Sequence, residues 1–315
     1  MAKAGKRIHE HGHEGALIGQ TVRMASHDIF AGESQRLSDL LRVLPGSGVD
    51  LSSYDTRATA GFPGSGKKDA ERLRLAMCVE LADLQERLFA DGRSFPERAT
   101  SVLVVLQGMD TSGKGGTVSH VFSLMNPAGI EHTAFKAPTP DERKHDFLWR
   151  ITNALPDKGM IGIFDRSQYE DVLIVRVENL VKPEVWGARY DQINEWEAKV
   201  AASGTRVVKC FLHISPEEQQ ARLAARLADP SKYWKYNPGD VDVRAKWDEY
   251  TEAYEAALSK CSTDLAPWYV IPADRKWYRN WAVATLLHET LLSIDPKWPP
   301  ATFDVATEKA RVAGS

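Results

Sequence analysis

The stretch SVLVVLQGMDTSGKGGT, residues 101–117, decides the fold. Its first part is a short, continuous apolar run with β-branched residues and a glycine after it. Such a run predicts a strand buried on both faces, as in a parallel sheet. Its second part, Gly108-Met-Asp-Thr-Ser-Gly113-Lys114, fits the opening of the phosphate-loop (P-loop) pattern GxxxxGK[ST]. Glycines let backbone N–H groups turn inward around phosphate oxygens. The N-terminus of a following helix, predicted over 117–125, adds partial positive charge, and Lys114 adds a full one. Gly115 stands where a Ser or Thr normally places a hydroxyl on Mg²⁺. Asp110, inside the loop, is the candidate to hold the metal instead, because an acid among phosphates is repulsive unless a cation lies between them.

Working outward, residues 131–136, 159–165, 206–212 and 268–271 read as further strands separated by helical stretches. That alternation predicts an α/β domain with a parallel sheet. Upstream, Leu73, Met77, Leu81, Leu84 and Leu88 recur at helical spacing, so a helix is expected from Lys67 to Phe89, stopped by Asp91-Gly92. Residues 216–260 are polar and read as two helices, split at Asp229-Pro230 and Asn237-Pro238-Gly239. They are either charged surface helices or a substrate-covering lid. Three regions result: an N-terminal arm over 1–60, the main domain over 61–295, and a C-terminal tail over 296–315, expected to be extended. Within the arm, 35–51 is expected to lie on the main domain. His9, His11 and His13 read as part of a mobile tail rather than a metal site, since nothing nearby completes one.

A second match, Gly61-Phe-Pro-Gly-Ser-Gly66-Lys67, follows SSYDTRATA, which is no buried strand. It reads as a turn before a helix, with Lys67 and Lys68 available to an anion.

Two further groups bear on chemistry. Asp165 and Arg166 end the apolar run GIFD, at the edge where open α/β sheets bind ligands. Asp165 would hold Mg²⁺ or orient an acceptor, the bland alternative being a helix cap. Arg166 would neutralise charge in transfer. Arg222, Arg226, Lys232 and Lys235 form a basic group that suits an anionic ligand or, equally, a salt-bridged surface.

Composition bounds the rest. The 315 residues carry 40 Lys plus Arg against 43 Asp plus Glu, a net charge of −3, which argues against a nucleic-acid coat. No apolar run is long enough for a membrane span, and the first residues lack the apolar core of a signal peptide. Cys78, Cys210 and Cys261 have no CxxC spacing and read as reduced thiols, so a cytoplasmic protein is expected.

The stretches GMDTSGKGGT (108–117), FKAPTPDERKHDFLWR (135–150), FDRSQYEDVLIVRV (164–177) and RLAARLADPSKYWKY (222–236) together resemble the polyphosphate kinase 2 family. The resemblance implies a three-layer α/β P-loop kinase fold like that of thymidylate kinase, with a helical lid over about 216–260. It implies transfer of the terminal phosphoryl of inorganic polyphosphate to a nucleotide, or the reverse, with Mg²⁺ or Mn²⁺. The metal and catalytic positions it implies are Asp110, Lys114, Asp165 and Arg166. The phosphate-binding positions are Gly108, Thr111, Ser112, Gly113, Lys114, Gly115, Gly116, Thr117, Lys136 and Arg150. Nucleotide and lid positions are Tyr169, Glu170, Asp171, Arg222, Arg226, Lys232 and Lys235. Tyr-Glu-Asp-Val-Leu at 169–173 is similar to class III members, which use both AMP and ADP and yield ATP; Gln168 departs from the His usual before it. Members tend to be homo-oligomers.

In-line transfer needs positioning and charge neutralisation, so no phosphohistidine is expected at His120, His145 or His213. A basic channel should lead to the loop, with Lys136, Arg143, Lys144 and Arg150 as candidates. Trp234, Trp247, Trp277 and Trp281 are expected to pack. An ATP-dependent nucleotide kinase, an ADP-only polyphosphate kinase and a non-catalytic polyphosphate-binding module are the alternatives.

Overall fold

The protein is described by a computed structural model covering residues 35–123 and 125–315. The reading of His9, His11 and His13 lies outside the described residues. In chain order the elements are α1 (Leu37–Leu41), α2 (Lys67–Ser94), β1 (Ser101–Gln107), α3 (Lys114–Val121), β2 (Ile130–Ala134), α4 (Trp149–Thr152), β3 (Ile161–Asp165) and α5 (Ile174–Val177). Then follow α6 (Pro183–Ala202), β4 (Thr205–His213), α7 (Pro216–Leu227), α8 (Gly239–Arg244), α9 (Trp247–Cys261), β5 (Trp268–Pro272), α10 (Lys276–Ile294) and α11 (Val305–Ala313).

The strands form one parallel sheet in the order β2-β3-β1-β4-β5. All five lie within two residues of the expected positions. β1 is central and buried at every residue, as its unbroken apolarity requires. The chain leaves β1 towards β2 and leaves β3 towards β4, so the loops after these two neighbours diverge. A crevice opens between them at the carboxyl edge of the sheet. Helices α2, α3 and α10 pack together, as do α6 and α9. Among the described residues no helix is long and apolar enough to cross a membrane.

Several expectations need correction. α2 does not stop at Asp91-Gly92 but runs to Ser94. Gly92 is there for space: a Cβ would strike the Lys158 carbonyl and come within 2.5 Å of Gly159 Cα. Helix α3 starts at Lys114 and ends at Val121, rather than spanning 117–125. Residues 216–260 form more than two helices: α7, a 3₁₀ turn at Pro230–Lys235, α8 and most of α9. Helix α9 belongs to the core, where it buries Tyr250, Ala253, Tyr254, Ala257 and Leu258. The tail is not wholly extended: Asp304 accepts a hydrogen bond from the Thr307 N–H and caps α11. Trp281 and Trp277 pack on Phe62 as expected, but Trp234 is 78% exposed.

The segment at 35–51 docks on the domain. Glu289 accepts from the N–H groups of Leu37 (2.9 Å) and Ser38 (3.0 Å), and the Val43 N–H reaches the Trp268 carbonyl at 2.9 Å. The three cysteines are free and buried.

Candidate active site

The phosphate loop joins β1 to α3 and is held from behind by two arginines. Arg222 Nη1 donates to the carbonyls of Thr111 (2.9 Å) and Ser112 (3.0 Å), and its Nη2 to Ala273 (2.7 Å) and Asp274 (3.1 Å). Arg279 Nη1 donates to Ser112 O at 3.0 Å. These bonds fix the carbonyls of Thr111 and Ser112 from outside, while the Ser112 N–H closes the turn on Met109 O at 3.0 Å. Gly113, at φ 104°, caps α3, and a Cβ there would overlap Arg279. Thr111 is left-handed at φ 65°, which is strained for a β-branched residue. Lys114 Nζ donates to Gly108 O at 2.9 Å. Among the described residues the hydroxyls of Thr111 and Ser112 are buried without a partner, as a loop built to receive phosphate oxygens would leave them. The Thr117 hydroxyl turns back to Gly113 O at 3.2 Å, within its own helix.

The turn after β3 faces this loop. Asp165 ends β3 opposite Leu106. Arg166 is left-handed at φ 66°, and its N–H reaches Leu106 O at 3.1 Å. Its guanidinium lies 3.1 Å from Asp110. Burial opposes the Arg166 charge, but Glu170, Asp110 and Asp165 outweigh it and raise its pKa. Burial also raises Glu170, against the pull of Arg166 and Lys114.

Among the described residues, cavities open against the loop. One, of about 410 Å³, is lined by Thr111, Gly113 and Gly116 and by eight cationic side chains against one carboxylate, Glu71. Arg222, Arg226, Lys232 and Lys235 are all in it, so the structure brings the predicted basic group together. Lys67, from the second glycine motif, joins them. Sequence reasoning missed Arg74, Lys276 and Arg279. Arg74 stands seven residues after Lys67, two helical turns along one face, and Lys276 and Arg279 open α10, so both signals were present. Burial, and after it the charge of Arg222, depresses Arg279 to about 9 and lowers Lys276.

A second cavity, of about 230 Å³, holds Asp110, Arg166 and Glu170 beneath Asn237 and Asp240. Asp240, also missed, pairs with Arg226 at 3.3 Å. Burial and the Asp110 charge raise its pKa.

Other expected residues fall elsewhere. Lys136 and Arg150 line a separate cavity at the β2 edge, where Arg150 donates to Lys136 O at 2.7 Å. Arg143 and Lys144 are exposed, bonded to Pro138 O and Asp141. None of these four cations lines the basic cavity beside the loop. Tyr169 is fully buried and belongs to the core rather than to a nucleotide contact. Asp171 pairs with Arg189 at 3.0 Å. His120 lines the basic cavity but turns Nδ1 to Gly116 O at 2.8 Å; His145 stacks on Trp149, and burial lowers His213.

Among the described residues no three His, Cys, Asp or Glu side chains converge as a protein-only metal cage would need. Mg²⁺ does not need one, since it takes one or two carboxylates plus phosphate oxygens. Asp110 in the loop and Asp165 at the adjoining strand end are hard oxygen donors of that kind.

A central strand, a glycine loop, an opposing Asp-Arg turn and a cationic cavity define a P-loop phosphotransferase. Residues 66–297 match the family model for polyphosphate kinase 2, and the chain belongs to that family. It is 46% identical over 268 residues to the AMP/ADP-polyphosphate phosphotransferase of Meiothermus ruber, covering 85% of this chain and 97% of that one. It is 39% identical over 274 residues to the ADP-polyphosphate phosphotransferase of Rhodopseudomonas palustris, covering 83% and 92%. The crystal structure of polyphosphate kinase 2 from Arthrobacter aurescens TC1 superposes with a TM-score of 0.85 at 49% identity, covering 89% of this chain and 98% of that one.

Proposed function

We propose that the protein transfers the terminal phosphoryl of inorganic polyphosphate to AMP and to ADP, giving ADP and ATP, reversibly and with Mg²⁺ or Mn²⁺. The observation that carries this reading is the lining of the 410 Å³ cavity beside the loop, eight cations against one acid among the described residues, with Glu218, Asp240 and Asp229 pairing three of the cations from outside the lining. Such a wall suits a donor with about one negative charge per phosphate. The use of both acceptors is supported by the name of the Meiothermus ruber relative and by the sequence at 169–173.

The loop N–H groups, Lys114 and the free hydroxyls of Thr111 and Ser112 hold the end of the donor chain. Arg166 covers charge on the transferring group, in a site where fixed donors act at low dielectric. Asp110 and Asp165 would hold the metal, which when bound supplies charge neutralisation between donor and acceptor. The acceptor oxygen is already ionised near neutral pH, so Asp165 orients rather than abstracts a proton. Within residues 216–260, α7 is tied to the loop through Arg222 and α9 to α6. The span between them carries Lys232, Lys235 and Asp240; Arg226 of α7 holds it through Lys235 O (2.9 Å) and Asp240 (3.3 Å), and shifting these bonds would let it cover the site and exclude water. A cytoplasmic homo-oligomer acting on these small substrates, without nucleic acid or membrane, completes the reading.

Thermal unfolding with added inorganic tripolyphosphate and longer chains tests the donor site. Tm should rise, by about 2.7 kcal/mol of stabilisation at a hundred times Kd, and the gain should shrink as NaCl is added. No shift with any chain length would count against the reading.

A further inference from the structure

We propose that a buried network of Lys209, Glu197, Tyr169 and Gln168 is the positioning device for Arg166, and that turnover depends on it although none of the four touches substrate. The proposal rests on the phosphotransfer reading and extends it to residues behind the site.

Lys209 lies on β4, fully buried. Its ammonium donates to the Tyr169 hydroxyl (2.7 Å), to Glu197 Oε2 (2.5 Å) and to the Cys261 carbonyl (2.6 Å), so all three of its protons are used. Glu197, on α6 and 1% exposed, also accepts from Tyr169 Oη (2.8 Å) and Gln168 Nε2 (2.9 Å). Two charges are thereby removed from water to grip two consecutive residues. Apolar residues often replace a buried ion pair at no cost in stability, so the proposal takes the pair's role to be what it fixes.

What it fixes is the segment that carries Arg166. Ser167 Oγ accepts from Gln107 Nε2 of β1 at 3.0 Å and from the Tyr169 N–H at 3.3 Å. Together with the bond from the Arg166 N–H to Leu106 O, this anchors the turn to β1 on one side and to β4 and α6 on the other. Arg166, left-handed between the anchors, needs its surroundings to hold it there. Its reach to Asp110 depends on that conformation.

Tyr169→Phe removes one hydroxyl from the network and keeps the ring that packs edge-on against Trp268. The experiment is a double-mutant cycle on kcat with Arg166→Ala. Wild-type turnover of polyphosphate is measured first and decides the phosphotransfer reading independently. Tyr169→Phe should lower kcat at least tenfold with little change in the KM for polyphosphate, and lower it less than twofold in the Arg166→Ala background. Hydrogen exchange, which needs no turnover, should rise at least tenfold over 166–171 while β1 stays protected. A Gln168→Ala variant, which cuts a different arm of the network, should behave alike. Unchanged kcat, equal losses in both backgrounds, or unchanged exchange over 166–171 would overturn the proposal.

Discussion

Arg166 Nη2 lies 3.1 Å from Asp110 Oδ1, so one ion pair joins the turn after β3 to the phosphate loop after β1. The two residues are 56 positions apart and meet because their strands are neighbours in the sheet. The pair holds the guanidinium at the loop, where the proposed mechanism needs a cation.

Arg166→Ala should therefore lower kcat by about 10²–10³-fold, the usual size for removing one fixed donor to a developing charge. Asp110→Asn should lose turnover as severely, through both Arg166 and the metal. Tm should stay close to wild type in each, since the pair is partly exposed. Steady-state kinetics with melting curves check this; a near-wild-type rate in either variant contradicts the assignment.

Thr111→Gly relieves a left-handed β-branched residue and removes a buried loop hydroxyl that has no partner among the described residues. Stability should hold or rise by about 1 kcal/mol, within the strain such a residue stores. The KM for polyphosphate should rise. Lower stability with an unchanged KM would show that the hydroxyl serves the fold instead.

Gly92→Ala should destabilise by about 1–3 kcal/mol through overpacking against the Lys158–Gly159 backbone. Denaturant unfolding measures it. A neutral result would mean that α2 does not cross that backbone so closely.

Asp171 gives a pH signature. Burial raises its pKa to about 6, against the pull of Arg189 and Arg150. Between the ordinary carboxylate value and 6, the folded chain binds this proton more tightly than the unfolded chain does. The contribution of Asp171 thus favours the fold at acid pH and becomes a cost as pH rises through 6. Relative to Asp171→Asn, wild type should lose stability from pH 4 to 6 and run parallel above. Melting curves across that range check it; parallel curves throughout would contradict the shift.

Much of this was legible in the sequence, for local reasons. β1 and the loop announce themselves because a doubly buried strand must be apolar and a phosphate cradle must be glycine-rich. The motif at 61–67 could be set apart from the true loop because no strand precedes it, yet Lys67 still reaches the cavity, since α2 starts beside it. What stayed hidden depends on tertiary approach. Gly92 reads as a helix stop until the Lys158–Gly159 backbone is seen against it. Tyr169 reads as a site residue because it follows Asp-Arg-Ser, but the turn points it into the core. Arg279 stands at a helix start that the sequence can show, but only the fold seats it against Gly113, 166 residues earlier. Lys136 and Arg150 are near the phosphate motifs in sequence, but the β2 edge takes them to another cavity.

The most direct test of the central claim is a coupled assay of the purified protein with polyphosphate as sole donor and Mg²⁺, AMP and ADP being supplied separately. The account expects ATP from ADP, and ADP followed by ATP from AMP, with loss of polymer. No transfer from polyphosphate to either acceptor, while ATP serves as a donor, would contradict it.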